Sequence, residues 1–538
     1  MFSRMSPFAR LKKLSQTQIV LIAAIFFVLF DNLAFFQHVL EVYPLIEKNI
    51  AFLASLALGL TAVITLLLVL VSSRYTLKPI LVLLLLVSSV TSYFMNQYNV
   101  VMDHTMIQNV LQTNVKETSD LLSMKLFLYF LLLGLVPSAF VCMVKLEPMS
   151  WKKAAMTKLK VASLSVVIVL GSVLLFSRFY TSFFREHKPL RYYTNPTYTI
   201  YSVGEYLNKT FNTEKIVVKP VGVDARIPLT DTDRELIILV IGEAARADRF
   251  SLNGYRRGTN PLLSKQDVTS FTNMYSSGTS TAFSVPCMFS IFPRDNYSES
   301  KGKSHENLLD ILARAGVNVL WRENNSDSKG VADRIPYQDY KKSKVNTDCD
   351  VECRDEGMLA GLQEYINAQK KGDIVIVLHQ MGNHGPAYYK RYPASFEKFT
   401  PACKTNQLDE CTNEEISNAY DNAILYTDYF LNRVIELLKS NSNRFETAML
   451  YMSDHGESLG EYGVYLHGLP YAIAPASQKH IASVFWFSDK FKIDKAMLRT
   501  KAAEPFSHDN LFHTVLGLME IETSVYKENL DILHKNRS

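Results

Sequence analysis

Apolar runs at residues 18–38, 49–72, 80–97, 124–145 and 160–178 dominate the first third of the chain. Each approaches the roughly 20 residues that a helix needs to cross a hydrocarbon layer, so a transmembrane domain of five helices is predicted over residues 1–180. Further on the apolar runs shrink to four to six residues, at 236–241, 317–321, 374–378, 449–452 and 484–487. Runs of that length and density are typical of buried parallel strands. Helical patterns at 308–315, 357–368 and 416–439 lie among them. The alternation predicts an α/β domain with a mostly parallel central sheet over residues 231–538. Residues 181–230 join the two parts. Phe183, Phe184, Arg185, Lys188, Arg191, Tyr192 and Tyr193, interrupted by Pro189, Pro196 and Pro220, suit a linker lying on lipid headgroups.

Charge sets the orientation. Arg4, Arg10, Lys12 and Lys13 precede the first run, Arg74 and Lys78 come after the second, and Lys145, Lys152, Lys153, Lys158 and Lys160 join the fourth to the fifth. These are the cytoplasmic loops, and an odd number of crossings places the second domain outside. A cleaved signal peptide is the rival reading of the first run, but no small-residue cleavage site comes after it. The net charge of +5 over 538 residues gives no basic surface of the kind nucleic acid requires.

The cysteines agree with export. Cys349 with Cys353, and Cys403 with Cys411, are close enough to close small loops in an oxidising compartment. Cys142 lies in the fourth run, and Cys287 is left without an obvious partner.

Ligands in open α/β sheets gather past the carboxyl ends of the strands, so the residues just beyond each apolar run are the candidates for chemistry. Past the first strand stands Gly242-Glu243-Ala244-Ala245-Arg246, past the fourth Ser453-Asp454-His455-Gly456-Glu457, and past the third His379 and His384. Carboxylates and imidazoles without thiolates suit zinc or manganese. An Asp-His pair by itself is common on protein surfaces, and its position after a buried strand is what makes it informative. Residues 277–286, Ser-Gly-Thr-Ser-Thr-Ala-Phe-Ser-Val-Pro, form a hydroxyl-rich turn entering a helix. Free N–H groups there attract phosphate, although such hydroxyls also serve as plain caps.

These motifs, with Ser284-Val285-Pro286-Cys287-Met288-Phe289-Ser290, His384-Gly385-Pro386 and Ser458-Leu459-Gly460-Glu461, resemble the lipid A phosphoethanolamine transferases. That family includes the mobile colistin-resistance enzymes. The resemblance covers nearly the whole chain and implies an alkaline-phosphatase or sulfatase-like domain behind five spans. It implies at least one zinc ion on Glu243, Thr281, Asp454 and His455, with Thr281 also the nucleophile. By the same resemblance Asn325, Lys329, His384 and His467 hold the phosphate or relay protons. Asn109, Thr113 and Glu117, spaced by four, face the donor headgroup if their loop is helical. A polar cluster of His508, Asp509, Asn510 and His513 is read as structural or as supporting the metal ligands from behind.

The implied activity is transfer of phosphoethanolamine from phosphatidylethanolamine to lipid A through a phosphothreonine, by a monomer in the bacterial inner membrane whose catalytic domain faces the periplasm. Its partners are membrane lipids, its acceptor is lipid A, and the lowered surface charge implies polymyxin resistance. The alternatives are another lipopolysaccharide sugar as acceptor, a sulfatase-like phosphodiesterase using water, or a membrane sensor without activity. One departure stands out: family members often carry a cysteine where Ser277 stands, bridged to the one matching Cys287. The Thr281 loop is therefore expected to be held by packing alone.

Overall fold

A computed structural model describes residues 13–112, 118, 121–185, 187–211 and 217–534. Arg4, Arg10 and Lys12, and Thr113 and Glu117, lie outside the described residues. The chain forms two compact units, Met1–Ile107 with Leu122–Phe211, and Gln108–Leu121 with Asn212–Ser538.

Among the described residues of the first unit, four helices are long and apolar enough to cross a membrane: Glu47–Val71, Leu77–Tyr98, Met124–Met143 and Trp151–Leu175. The run expected as one span at 18–38 is instead two helices, Gln16–Phe30 and Leu33–Val42, bent by 56°; counted together they make a fifth. The break falls where Asp31 and Asn32 find tertiary partners. Ser92 Oγ donates to Asp31 Oδ1 at 2.8 Å and Asn195 N–H donates to Asn32 Oδ1 at 2.9 Å, while Asn32 Nδ2 donates back to Phe27 O at 2.9 Å, so side chains take over from the interrupted backbone ladder. The last of these helices begins at Trp151 rather than at 160. Its lysines, read from charge as loop, are good helix formers and extend the span at one end. Within the expected linker, Ser177–Arg185 and Thr197–Phe211 are helical.

The second unit is built on a seven-stranded sheet. Its strands are β1 (Glu235–Gly242), β2 (Val268–Ser270), β3 (Asn318–Glu323), β4 (Tyr337–Asp339), β5 (Ile374–His379), β6 (Glu446–Ser453) and β7 (Ser483–Phe487). Their spatial order is β2-β7-β6-β1-β5-β3-β4. β1 is buried along its whole length, which is why its sequence is continuously apolar rather than alternating. The five strands from β6 to β4 run parallel. β7, expected to be parallel, runs antiparallel to both of its neighbours. An apolar run shows burial on both faces and carries no direction, so only the connections decide. The helix Asn413–Asn441 is started by a capping box in which Thr412 and Glu415 bond reciprocally. It buries Ile416, Ala419, Ile424, Leu431 and Leu438 on the inner side.

Register places the chemistry. Ile241 pairs with His379 and Gly242 with Ser453, so Glu243, Gln380 and Asp454 emerge side by side at one edge of the sheet. Cys349–Cys353 and Cys403–Cys411 form the two expected disulfides, and Cys287 is a buried free thiol.

Candidate active site

Glu243 leaves β1 where Ala244 takes φ of 56°, a left-handed conformation that non-glycine residues seldom adopt outside functional turns. The chain thereby turns its carboxylate inward. Gly382 stands against it with φ of 51°, and a Cβ there would lie 2.9 Å from Glu243 O. Thr281 is the first residue of the helix Thr281–Met288, with Ser280 as its cap. The hydroxyl thus sits at the positive end of the helix dipole. Thr281 Oγ donates to Glu243 Oε2 at 3.0 Å and lies 3.4 Å from His455 Nε2.

Asp454 and His455 come directly after β6. His455 Nε2 is 3.2 Å from Glu243 Oε1 and 3.3 Å from Asp454 Oδ2. Its Nδ1 lies 2.9 Å from Gly456 O, a donation to the carbonyl that turns Nε2 toward the carboxylates. Asn325 Nδ2 donates to Glu243 Oε2 at 2.7 Å and to Gln380 O at 2.8 Å.

These groups are fully buried, and their charges answer one another. Burial works to raise the Glu243 carboxyl, but facing His455, and then His384 and His467, holds it well below the usual range. Burial and the charge of Glu243 push Asp454 up to about 7. Burial opposes charge on His455, yet Asp454 and Glu243 raise its imidazole to about 10. The carboxylates demand positive charge, and the ring proton is what the chain itself supplies. Glu243 Oε1 and Asp454 Oδ2 are buried with no hydrogen-bond partner. Oxygen donors left over beside an imidazole fit a divalent cation of the zinc or manganese class.

His467 comes just after the short strand Tyr465–Leu466, which pairs with Ser458–Leu459, and one of its ring nitrogens lies within 4.8 Å of ligand atoms of Glu243 and His455. It therefore joins Glu243 and His455 among the groups that could hold a metal ion. Glu457, at the end of the motif beyond β6, supports this ring in a way that sequence spacing does not reveal. Its Oε2 lies 2.7 Å from His467 Nδ1, and its Oε1 accepts from Tyr388 Oη at 2.6 Å. The His384 ring is 5.5 Å from that of His467, and its buried Nδ1 has no partner. Lys329 Nζ lies 3.8 Å from Asp327 Oδ1. It lines an adjoining cleft of about 850 Å³ together with Ala282, Pro286 and Tyr297. Asn109 lies on the helix His104–Gln112. His379, noted from its strand-end position, is committed elsewhere: its Nδ1 pairs with Glu323 Oε2 at 2.9 Å.

The Thr281 loop is not held by packing alone. Where a disulfide was expected to be missing, Ser277 N–H donates to His508 Nδ1 at 3.0 Å, and His508 Nε2 is 2.9 Å from Ser453 O. Burial, then the charge of His455, holds the His508 ring down at about 4, so it is neutral and can accept at one nitrogen while donating at the other. Burial pushes the Cys287 thiol up to about 12, making it inert at neutral pH.

Known proteins share both halves of this arrangement. Residues 235–521 match the sulfatase family model, and residues 60–211 match the phosphoethanolamine transferase EptA/EptB model. The chain is 45% identical to the phosphatidylethanolamine transferase Mcr-1 of Escherichia coli over 96% of this chain and 97% of that one. It is 40% identical to the phosphoethanolamine transferase EptA of Escherichia coli K12, over 96% of each. Among solved structures, the integral membrane lipooligosaccharide phosphoethanolamine transferase A of Neisseria meningitidis superposes with a TM-score of 0.94. That likeness comes at 37% identity, over 98% of this chain and 100% of the other.

Proposed function

The chain belongs to the phosphoethanolamine transferase family, and we propose that it moves phosphoethanolamine from phosphatidylethanolamine to lipid A in the bacterial inner membrane, with its second unit in the periplasm. One observation carries this reading: a threonine hydroxyl at a helix N-terminus donates to the buried Glu243 at 3.0 Å, in a chain similar to such transferases over nearly its full length.

Thr281 Oγ attacks phosphorus, its proton passing toward Glu243, and the bond to the diacylglycerol oxygen breaks. His384 or His467 protonates that oxygen as it departs. In the second half a lipid A phosphate oxygen attacks the phosphothreonine, the P–Oγ bond breaks, and Thr281 regains its proton. Asn325 steadies Glu243, and Lys329 offers a cation to the phosphate from the adjoining cleft. A zinc ion, held when bound by Glu243, Thr281, Asp454 and His455 with His467 in reach, lowers the hydroxyl's pKa. Each transfer adds an ammonium beside a lipid A phosphate, so cationic peptides such as polymyxins bind the surface less well.

Mass spectrometry of lipid A from cells expressing the protein tests this. An added phosphoethanolamine mass is expected with the native chain and none with Thr281→Ala, provided that variant is present at equal abundance. Substantial product from Thr281→Ala removes the covalent step.

A further inference from the structure

The opposite edge of the same sheet carries a second cluster of carboxylates. Asp231 lies in the segment leading into β1, Glu235 is the first residue of β1, and Asp373 immediately precedes β5. Each offers one oxygen, and these three atoms all lie within 4.8 Å of one another. Strand register enforces the meeting. β1 and β5 pair from Leu236 with Ile374 onward, so the residues just before them are brought together at the N-terminal edge.

Glu235 is 2% exposed and Asp373 3%. Carboxylates so close and so far from water cannot all ionise without a compensating charge. The charge of Arg234 acts on Asp373 and Glu235, but its hydrogen bonds go to backbone carbonyls, Nε donating to Gly372 O at 2.9 Å, and its guanidinium lies 4.7 Å from the centre of the Phe445 ring. Backbone donors use one oxygen each on two members. Asp373 Oδ1 accepts from Glu235 N–H at 3.2 Å, and Asp231 Oδ1 accepts from Asp233 N–H at 3.2 Å. Glu235 Oε2 and Asp231 Oδ2 are buried and have no hydrogen-bond partner.

We infer that Asp231, Glu235 and Asp373 bind a hard divalent cation of the calcium or magnesium class. The donors are all carboxylate oxygens, without the imidazole that marks the centre around Glu243, and such sets select hard ions over zinc. Asp231 is partly exposed, which leaves an entry path and room for water to complete the coordination. The ion ties the entry segment to the base of β1 and β5, the strands whose other ends present Glu243 and Gln380. Its role is to stabilise that framework.

The test uses the full-length protein in detergent, stripped with chelator and reloaded with one equivalent of zinc. Calcium chloride and magnesium chloride are then added separately. Equilibrium dialysis is expected to find one tightly held calcium or magnesium per chain, and thermal unfolding a rise of a few degrees in Tm. Glu235→Gln and, separately, Asp231→Asn should abolish the binding and the Tm shift while retaining the zinc. The zinc content verifies that each variant is folded. Absence of calcium and magnesium binding by the native chain overturns the inference, and so does undiminished binding by the two variants.

Discussion

Ser277 and His508, 231 positions apart, meet in the interior, where the serine N–H donates to the histidine Nδ1 at 3.0 Å and the serine hydroxyl lies 3.1 Å from the same nitrogen. Through its other nitrogen the ring reaches Ser453 O, the residue before Asp454. One neutral imidazole therefore joins the loop that carries the nucleophile to the loop that carries two candidate metal ligands. His508→Ala leaves a buried N–H and a buried carbonyl unpaired, at about 1–3 kcal/mol each. Both a lowered Tm and a fall in kcat exceeding any rise in KM are expected, because the loops lose their common strut rather than a substrate contact. Measuring kcat and KM separately against Tm checks this. An unchanged kcat in a destabilised variant would reduce His508 to a core residue.

Glu457 orients His467 through a 2.7 Å contact and is itself fixed by Tyr388. Glu457→Gln keeps the shape but removes the charged acceptor, so the orientation and tautomer of the ring are less firmly held. Transfer should slow by roughly 10- to 100-fold, the usual cost of losing such a support, with Tm close to native. Tyr388→Phe should have a smaller effect in the same direction. Steady-state rates of both variants, with elemental analysis for retained zinc, distinguish a lost proton relay from a lost metal ligand.

Much of this site could be read from sequence because parallel strands export their chemistry to one edge. Glu243 and Asp454 each come after a run too apolar to be anything but a buried strand, and register then makes them neighbours. The features that sequence does not reveal have physical reasons. β2 and β4 are three residues long, too short for any periodicity. The direction of β7 is not written in its apolar run. Asp31 and Asn32 stand out as polar residues, but averaging hydropathy over the first run hides the break they cause. The pair Ser277–His508 depends on tertiary approach between loops, which local patterns do not encode, and Glu457 meets His467 across a hairpin whose strands, Ser458–Leu459 and Tyr465–Leu466, are too short to show periodicity.

Gly456 lies between His455 and Glu457 with no room for a side chain. A Cβ there would fall 2.1 Å from Ser477 O and 3.1 Å from Ser477 C, both backbone atoms that cannot rotate away. Gly456→Ala is expected to cost about 1–3 kcal/mol or more through overpacking, and to displace the loop that carries Asp454 and His455. Tm and bound zinc should both fall. Gly258→Ala is the control, since a Cβ at that position would meet nothing within 4 Å, and it should leave both quantities unchanged.

His513 gives the second unit a dependence on pH that is separable from catalysis. The ring is 2% exposed, and its Nδ1 accepts from Lys527 N–H at 3.2 Å. Burial, then the charge of Lys527, lowers its pKa from 6.5 to about 4. The native ring is thus neutral between those values, while the unfolded chain takes up a proton. Stability from this site is complete above about pH 6.5 and is lost as pH falls toward 4, because in that window the unfolded state binds more protons. His508, also lowered to about 4, adds a second proton of the same sign. His513→Asn keeps a side-chain acceptor and removes the titration. Unfolding of the full chain in detergent at pH 7.5, 6 and 5 should show a pH slope shallower by up to one proton in the variant. An identical slope in both proteins would mean that His513 can be protonated in the folded state, and that Lys527 gives up its bond to the ring without disturbing the fold.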